Sequence, residues 1–558
     1  MSRFLRIALA VGLLAVALHA ATREPVHARR AMVVTSEANA TQAGVDALRR
    51  GGNAVDAAIA VGFTLAVTHP NAGNLGGGGF MLIRFAGGGS TFLDFRETAP
   101  GAAGRDMYLD AAGEVSEASV VGYRAAGVPG TVRGFELAHE EYGSAPWDSL
   151  VQPAIELAGR GFEVTHGIAE SLRASGHLAR FPESNRIFLN RGRFFDMGDI
   201  LRQRDLRRTL RRIAEHGASD FYEGKTARLI AADMERNGGL ITIEDLKAYK
   251  AVERPPIQCR YGEYEILGAP PPSSGGVGVA QMLNMLDGSG YEKTGAGSAA
   301  AIHYAAEAMR RFFADRAEHF GDADFVDVPV KSLISPKYAR DRRATIDPGR
   351  ATKSAEIRAG EPAGHESSET PHYSVVDASG NAVSVTYTLN GSYGSGVTAA
   401  GTGVLLNNEM DDFTAKPGAP NMYGLRQSEK NAIEPGKRPL SAMSPTIVTR
   451  GGKLFLVLGS PGGPTIINTV LQVVSGVIDF KMDLQQAVDF PRFHHQWLPD
   501  ELRMESHGFS PDTIELLEQR GHKINFVDSM GRVMAIQAGE DWLLGAADSR
   551  SEGTAGGY

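Results

Sequence analysis

The chain has 558 residues, with Lys+Arg 57 against Asp+Glu 65 and a formal net charge of −8, a balance that disfavours a polyanion such as nucleic acid as partner. Hydrophobic residues make up 42%, and Gly 67 with Pro 27 stays below the roughly 25–30% that marks low-complexity chains, so the composition is that of a globular protein. Cys259 is the single cysteine, which excludes an intrachain disulfide, a cysteine-based zinc site and an iron–sulfur cluster.

Residues 1–20 read as a secretory signal peptide. Arg3 and Arg6 precede the apolar run Ile7–Leu18, and His19-Ala20-Ala21 gives a small-residue exit. Twelve residues fall short of the roughly 20 that span a bilayer. The expectation is an exported, periplasmic protein whose mature chain starts near Ala21, with no membrane anchor once the signal is removed.

The remainder reads as mixed α and β. Thr41–Arg50 has the pattern of a short amphipathic helix stopped by Gly51-Gly52. Asn53 is placed to cap a second, more apolar helix through Val67, with Asp56 in its first turn. The glycine-rich stretch Asn74-Leu75-Gly76-Gly77-Gly78-Gly79 follows, then strands over Phe80–Phe85 and Thr91–Arg96 joined at Gly87-Gly88-Gly89. From about Pro146 to Arg343 the pattern is mostly helical, interrupted at Pro255-Pro256 and Pro270-Pro271-Pro272.

Residues 350–369 are small and polar without periodicity and read as an exposed linker. Directly after it, His372–Asp377, a turn at Ser379-Gly380-Asn381 and Ala382–Tyr387 form a hairpin candidate. Thr370 therefore sits where a cleavable linker meets a strand, and Thr388 and Asn390 end the partner strand. A threonine hydroxyl needs a base to act as a nucleophile. If the bond before Thr370 is cut, its own α-amine, with a free pKa near 8, supplies that base without a histidine.

Common motifs are weak. His139-Glu140-Glu141-Tyr142-Gly143 lacks the second histidine of a zinc-protease helix. The pair His494-His495 would point to opposite faces of a strand. Gly275-Gly276-Val277-Gly278 is no dinucleotide fingerprint, and Gly459-Ser460-Pro461-Gly462-Gly463 does not read as a strand–turn–helix elbow with serine at its centre.

A set of longer motifs resembles the γ-glutamyltransferase family, in family order and over nearly the whole mature chain. These are Gly51–Ala58, Asn74–Phe80, Asp94-Phe95-Arg96-Glu97, Thr370-Pro371-His372-Tyr373-Ser374, Thr386-Tyr387-Thr388-Leu389-Asn390, Leu405–Phe413, Arg438-Pro439-Leu440-Ser441, Gly459–Gly463 and the terminal Gly553–Tyr558. The resemblance implies an α+β, four-layer αββα sandwich of the N-terminal-nucleophile hydrolase type, formed jointly by two fragments of one precursor. It implies self-cleavage between Glu369 and Thr370, giving a large subunit of 21–369 and a small subunit of 370–558. Thr370 is then the nucleophile and Thr388 the hydroxyl that positions it. Gly462 and Gly463 offer N–H groups to the oxyanion. Arg96 and Ser441 hold the substrate α-carboxylate, Asn390, Glu409 and Asp412 the α-amine, and Tyr423 belongs to a lid.

The implied activity is cleavage of γ-glutamyl amides such as glutathione, glutamine and γ-glutamyl peptides, with transfer to water or to amino-acid and dipeptide acceptors. No metal or organic cofactor is implied. Three positions depart from the family pattern: Pro371 follows the nucleophile, Ala442 replaces a second serine, and Pro464 follows the glycine pair. The rivals are a related acylase acting on glutaryl side chains of β-lactams and an uncleaved, non-catalytic binding protein of the same fold.

Overall fold

A computed structural model describes residues 23–357 and 370–558. The signal-peptide expectation for 1–20, residues 358–369 of the linker and Glu369 lie outside the described residues. Fourteen strands build two seven-stranded sheets. They are β1 Val26–Ala28, β2 Met32–Thr35, β3 Gly78–Arg84, β4 Ser90–Phe95, β5 Val252–Arg254, β6 Ile257–Tyr261, β7 Tyr264–Gly268, β8 His372–Val376, β9 Ala382–Thr388, β10 Thr446–Arg450, β11 Lys453–Leu458, β12 Met534–Ala538, β13 Leu543–Ala547 and β14 Thr554–Gly557. The first sheet runs β14-β2-β8-β9-β3-β4-β5, the second β1-β13-β12-β11-β10-β7-β6.

Five helices matter for the site: α1 Ala38–Arg49, α2 Ala54–Thr68, α3 Gly275–Leu286, α4 Ala299–His319 and α5 Thr465–Ile478. Side chains alternate across the first sheet as strand geometry requires. Val33, Met81, Ile83, Val375 and Val383 face α2 in one core, while Met32, Val34, Phe80, Leu82 and Val376 enter the core shared with the second sheet. The sheets stack through β2 and β8 against β12 and β13, and α3, packed on β6 and β7 and flanked by α4 and α5, covers the far side. The architecture is the four-layer αββα sandwich.

The expected helix signals hold. Asn53 Oδ1 accepts the N–H groups of Val55 and Asp56 at 2.8 and 3.1 Å, and the Asp56 carboxylate accepts the Asn53 N–H at 2.8 Å, a reciprocal cap for α2. Gly51, at φ +95°, ends α1 in a conformation that suits glycine.

Two expectations need correction. The mostly helical stretch from Pro146 to Arg343 also contains β5, β6 and β7, and the β6–β7 hairpin forms one edge of the second sheet. The Ile257, Cys259, Tyr261 alternation, buried on one face, is the period-2 signal behind it. Residues 351–357 are not an exposed linker. Ser354 is buried, its hydroxyl donates to the Trp497 carbonyl at 2.5 Å, and its N–H donates to Asp500 at 2.8 Å. The Thr352 hydroxyl donates to the buried Glu307 at 2.6 Å.

Candidate active site

Antiparallel order brings four strand ends of the first sheet to one edge: the starts of β8 and β3 and the ends of β9 and β4. Thr370 precedes β8, Thr388 ends β9, and Arg96 follows β4. Across the gap, the start of β10 brings Ser441 and Ala442, and the end of β11 runs into the turn Gly459–Pro464. One small pocket is lined by Arg96, Thr370, Thr388, Asn390, Glu409, Asp412, Tyr423, Ser441, Ala442 and Gly463. Ten positions from separate segments of the chain converge there, nine of them expected site residues and the tenth the departing Ala442; of the expected set, Gly462 does not line the pocket but adjoins Gly463.

Thr370 is 6% exposed, and its Oγ1 lies 3.2 Å from Oγ1 of Thr388. The Thr388 oxygen also accepts the Asn390 N–H at 2.8 Å, which fixes its rotamer. Asn390 holds φ +74°, a left-handed conformation that turns the chain into the pocket. Its Nδ2 donates to the Asn408 carbonyl at 3.0 Å, so its Oδ1 is the acceptor it presents.

The charged end is dense. The Arg96 guanidinium, 1% exposed, donates to Glu409 and, at 2.6 Å, to Asp412, while its Nε donates to the Pro439 carbonyl at 3.2 Å. Against the cost of burial, these carboxylates hold Arg96 firmly in its charged form. Burial pushes the neighbouring Glu97 carboxyl up to about 7 and raises Glu409 well above the carboxylate range; Arg96 opposes both shifts and Asp412 adds to both, while Glu97 raises Glu409 further. Three carboxyls crowd one guanidinium, and the arginine expected to meet a carboxylate is already engaged by the two groups expected to meet an ammonium.

The glycine turn is built for backbone exposure. The strand β11, the turn and α5 do form a strand–turn–helix, a correction to the sequence reading, with glycines where a hydrolase elbow carries serine. Gly462 and Gly463 adopt φ +135° and +53°, and a Cβ on Gly462 would come within 2.3 Å of Thr465 Oγ1. Among the described residues neither N–H donates to another backbone carbonyl. The Tyr423 ring closes over Gly463, 3.1 Å from where a Cβ would stand, and its hydroxyl donates to the Asn390 carbonyl at 2.8 Å. Beneath the turn, His372 is buried between Thr386 and Ser374, and burial lowers it to about 3, so it is neutral and structural. His494 and His495 are likewise buried; His494 bonds Asn468 and Gln496, and His495 lies 3.4 Å from Asp500.

Arg316 was not expected. Only 2% exposed, it lines the pocket from α4, and its Nε donates to Ser274 Oγ at 2.9 Å. Burial lowers its pKa to about 10, with the Arg96 charge pushing the same way. Nothing in its local spacing separates it from the other arginines of α4.

A family model described as Gamma-glutamyltranspeptidase matches residues 40–558. The chain belongs to the gamma-glutamyltranspeptidase family. A member from Escherichia coli (strain K12), named glutathione hydrolase proenzyme, is 52% identical over 531 residues, covering 94% of this chain and 91% of the relative. Among solved structures, gamma-glutamyltranspeptidase of Helicobacter pylori aligns with TM-score 0.58 and 42% identity over 63% of this chain and 99% of the other. A cephalosporin acylase from Bacillus halodurans aligns with TM-score 0.85 and 27% identity over 97% and 98%. The family's sandwich is therefore common to transpeptidase and acylase structures, and the pocket must separate the two.

Proposed function

We propose that this chain cleaves the γ-glutamyl amide of glutathione and related compounds through a γ-glutamyl ester on Thr370, and passes the group to water or to an amine acceptor. The observation that carries this reading is the single pocket in which Thr370 faces Arg96 together with Glu409 and Asp412. A γ-glutamyl head group carries one carboxylate and one ammonium. Arg96 with Ser441 suits the first, and Glu409, Asp412 and Asn390 Oδ1 suit the second. In the ligand-free chain Arg96 donates to both acidic groups; a zwitterion supplies a replacement partner to each side. A glutaryl side chain has no ammonium and would leave Glu409 and Asp412 uncompensated, which favours the γ-glutamyl reading over the acylase one.

The precursor is cut between Glu369 and Thr370, and the large fragment 21–369 and small fragment 370–558 stay associated. The new α-amine takes the proton from Thr370 Oγ as that oxygen bonds the γ-carbonyl carbon. Gly462 and Gly463 N–H groups stabilise the oxyanion. The carbon–nitrogen bond then breaks, and the proton leaves on the departing amine. Water or an amine attacks the ester, releasing Thr370. The proposed location is periplasmic, from the N-terminal signal pattern; among the described residues no helix is long and apolar enough to cross a membrane.

The test is amine release from a γ-glutamyl anilide, beside a glutaryl anilide lacking the α-amine. Turnover of the first and little of the second supports the proposal. Equal or reversed preference favours the acylase.

A further inference from the structure

Away from the pocket around Thr370, one stretch of surface combines exposed apolar side chains with unpaired arginines. Phe194, Met197 and Ile200 stand between Arg191 and Arg193 on one side and Arg202 and Arg204 on the other. Among the described residues seven large hydrophobic side chains are exposed, and three of them fall here: Phe194 at 39%, Met197 at 70% and Ile200 at 43%. Single exposed hydrophobics are ordinary, but a cluster of them marks a contact surface. None of these residues lines the pocket that holds Thr370.

The neighbouring structure fixes this stretch in place. It leaves the helix Pro182–Phe188 and returns as the short strand Ile200–Leu201, paired with Phe162–Glu163. The Gly198 N–H donates to the Val164 carbonyl at 2.9 Å, and the Val164 N–H to the Asp199 carbonyl at 2.8 Å. Asn190, Arg191 and Phe194 adopt φ of +48°, +59° and +58°, a left-handed conformation uncommon for side chains of this size. Strain of this kind persists where surrounding contacts enforce it, and it gathers at binding and active sites.

The acidic side chains of the stretch are committed to holding it. Asp196 pairs with Arg173, whose guanidinium also donates to the Phe195 carbonyl at 3.4 Å. Asp199 accepts the Asp196 N–H at 2.8 Å, and Asp205, just beyond, pairs with Arg186 at 2.6 Å and with Arg208. Arg191, Arg193, Arg202 and Arg204 are all exposed, and among the described residues none has a carboxylate within 4 Å. Glu163, the exposed partner of Ile200 across the strand pair, forms no ion pair with them. Apolar and cationic groups touch the same ground: a Cβ on Gly161 would come within 2.4 Å of Ile200 and 2.8 Å of Arg202.

We propose that this stretch is a peripheral membrane-contact surface: Phe194, Met197 and Ile200 enter the bilayer interface while the flanking arginines meet anionic phospholipid headgroups. Arginines on both sides of an apolar tip match the order of a bilayer, with charge outside and hydrocarbon within. A free anion would satisfy the arginines and leave the apolar tip in water. The N-terminal signal pattern delivers the chain to a compartment bounded by phospholipid. Each arginine near an anionic surface is worth about fivefold in binding, through an attraction that fades within a Debye length of about 10 Å at 0.1 M salt. The local excess of positive charge therefore acts although the whole chain carries net −8.

The test is flotation of the purified protein with vesicles of phosphatidylethanolamine and phosphatidylglycerol, beside vesicles of phosphatidylcholine alone. Wild type should float with the first at about 0.1 M salt, release as salt is raised, and stay unbound with the second. Arg191→Gln combined with Arg193→Gln should weaken binding about 25-fold, two arginines at about fivefold each. Phe194→Ser combined with Met197→Ser should weaken it on the order of tenfold. Arg49→Gln with Arg50→Gln removes the same charge from the end of α1 and should leave binding near wild type, with circular dichroism confirming the fold of each variant. No flotation of wild type on anionic vesicles, unchanged binding in the Arg191/Arg193 variant, or an equal loss in the α1 control would overturn the proposal. Unchanged binding in the Phe194/Met197 variant would overturn it in favour of an acidic protein partner.

Discussion

Two residues beyond the His372–Thr386 pair of the β8–β9 hairpin, the hydroxyl oxygens of Thr370 and Thr388 lie 3.2 Å apart. The hairpin register places them there, and the Asn390 N–H on the Thr388 oxygen, at 2.8 Å, holds the second against rotation. A hydroxyl at a strand start is in this way positioned by backbone pairing rather than by a mobile loop.

Arg96→Lys should lower kcat/KM for glutathione roughly 10- to 150-fold, the range of one lost charge-assisted contact. Lysine keeps the charge but loses the planar fork that spans Glu409 and Asp412 and the Nε bond to Pro439. Cleavage of the precursor should persist. Steady-state kinetics with unchanged kcat/KM would take Arg96 out of the site.

Gly462→Ala should cut kcat by about 10²-fold or more, the cost of disturbing one oxyanion donor. The φ of +135° and the 2.3 Å approach of a Cβ to Thr465 Oγ1 force the turn to move. A stopped assay on the anilide, with circular dichroism to confirm folding, checks this; a loss below threefold would mean the turn does not serve the oxyanion.

Much of this geometry was legible in sequence, because it rests on local signals. The Asn53 cap, the Gly51 stop and the Ser379-Gly380-Asn381 hairpin turn each depend on a few adjacent residues. The β6–β7 hairpin was harder, since its strands are five residues each and sit among long helices. Arg316 and the docking of residues 351–357 depend on tertiary neighbours, Ser274 in one case and Trp497 and Asp500 in the other. The convergence of Arg96 with Glu409 and Asp412, more than 300 positions apart, was carried by motif resemblance and not by spacing.

Ala442→Ser should tighten γ-glutamyl donors about 2- to 12-fold in KM, the effect of one added donor offset by water displacement. Ala442 lines the pocket beside Ser441, so a hydroxyl there would be added to the same pocket as Arg96. The gain should fall on KM more than kcat, because the head group is held alike in ground and transition states. Equal gains on donors lacking the α-carboxylate would show that position 442 faces elsewhere.

His372→Asn should make stability less acid-sensitive. Burial lowers this histidine from 6.5 to about 3, so the unfolded chain takes up its proton first as pH falls. Wild type therefore loses about 1.4 kcal/mol per pH unit from this group as pH falls from about 6 toward 4. The variant lacks that loss, so its stability deficit should shrink by roughly 2–3 kcal/mol over the same window. Denaturant melts at pH 7 and pH 4 measure it, and a constant deficit would contradict a neutral buried ring.

The most direct test of the whole account is the intact mass and N-terminal sequence of the purified protein and its Thr370→Ala variant. Wild type should give two associated fragments, the smaller of roughly 20 kDa from a 59.5 kDa chain and beginning Thr370-Pro371-His372. The variant should remain a single uncut chain without turnover of glutathione. A variant cut at the same bond, or a wild-type small fragment that begins at another residue, would contradict Thr370 as the nucleophile.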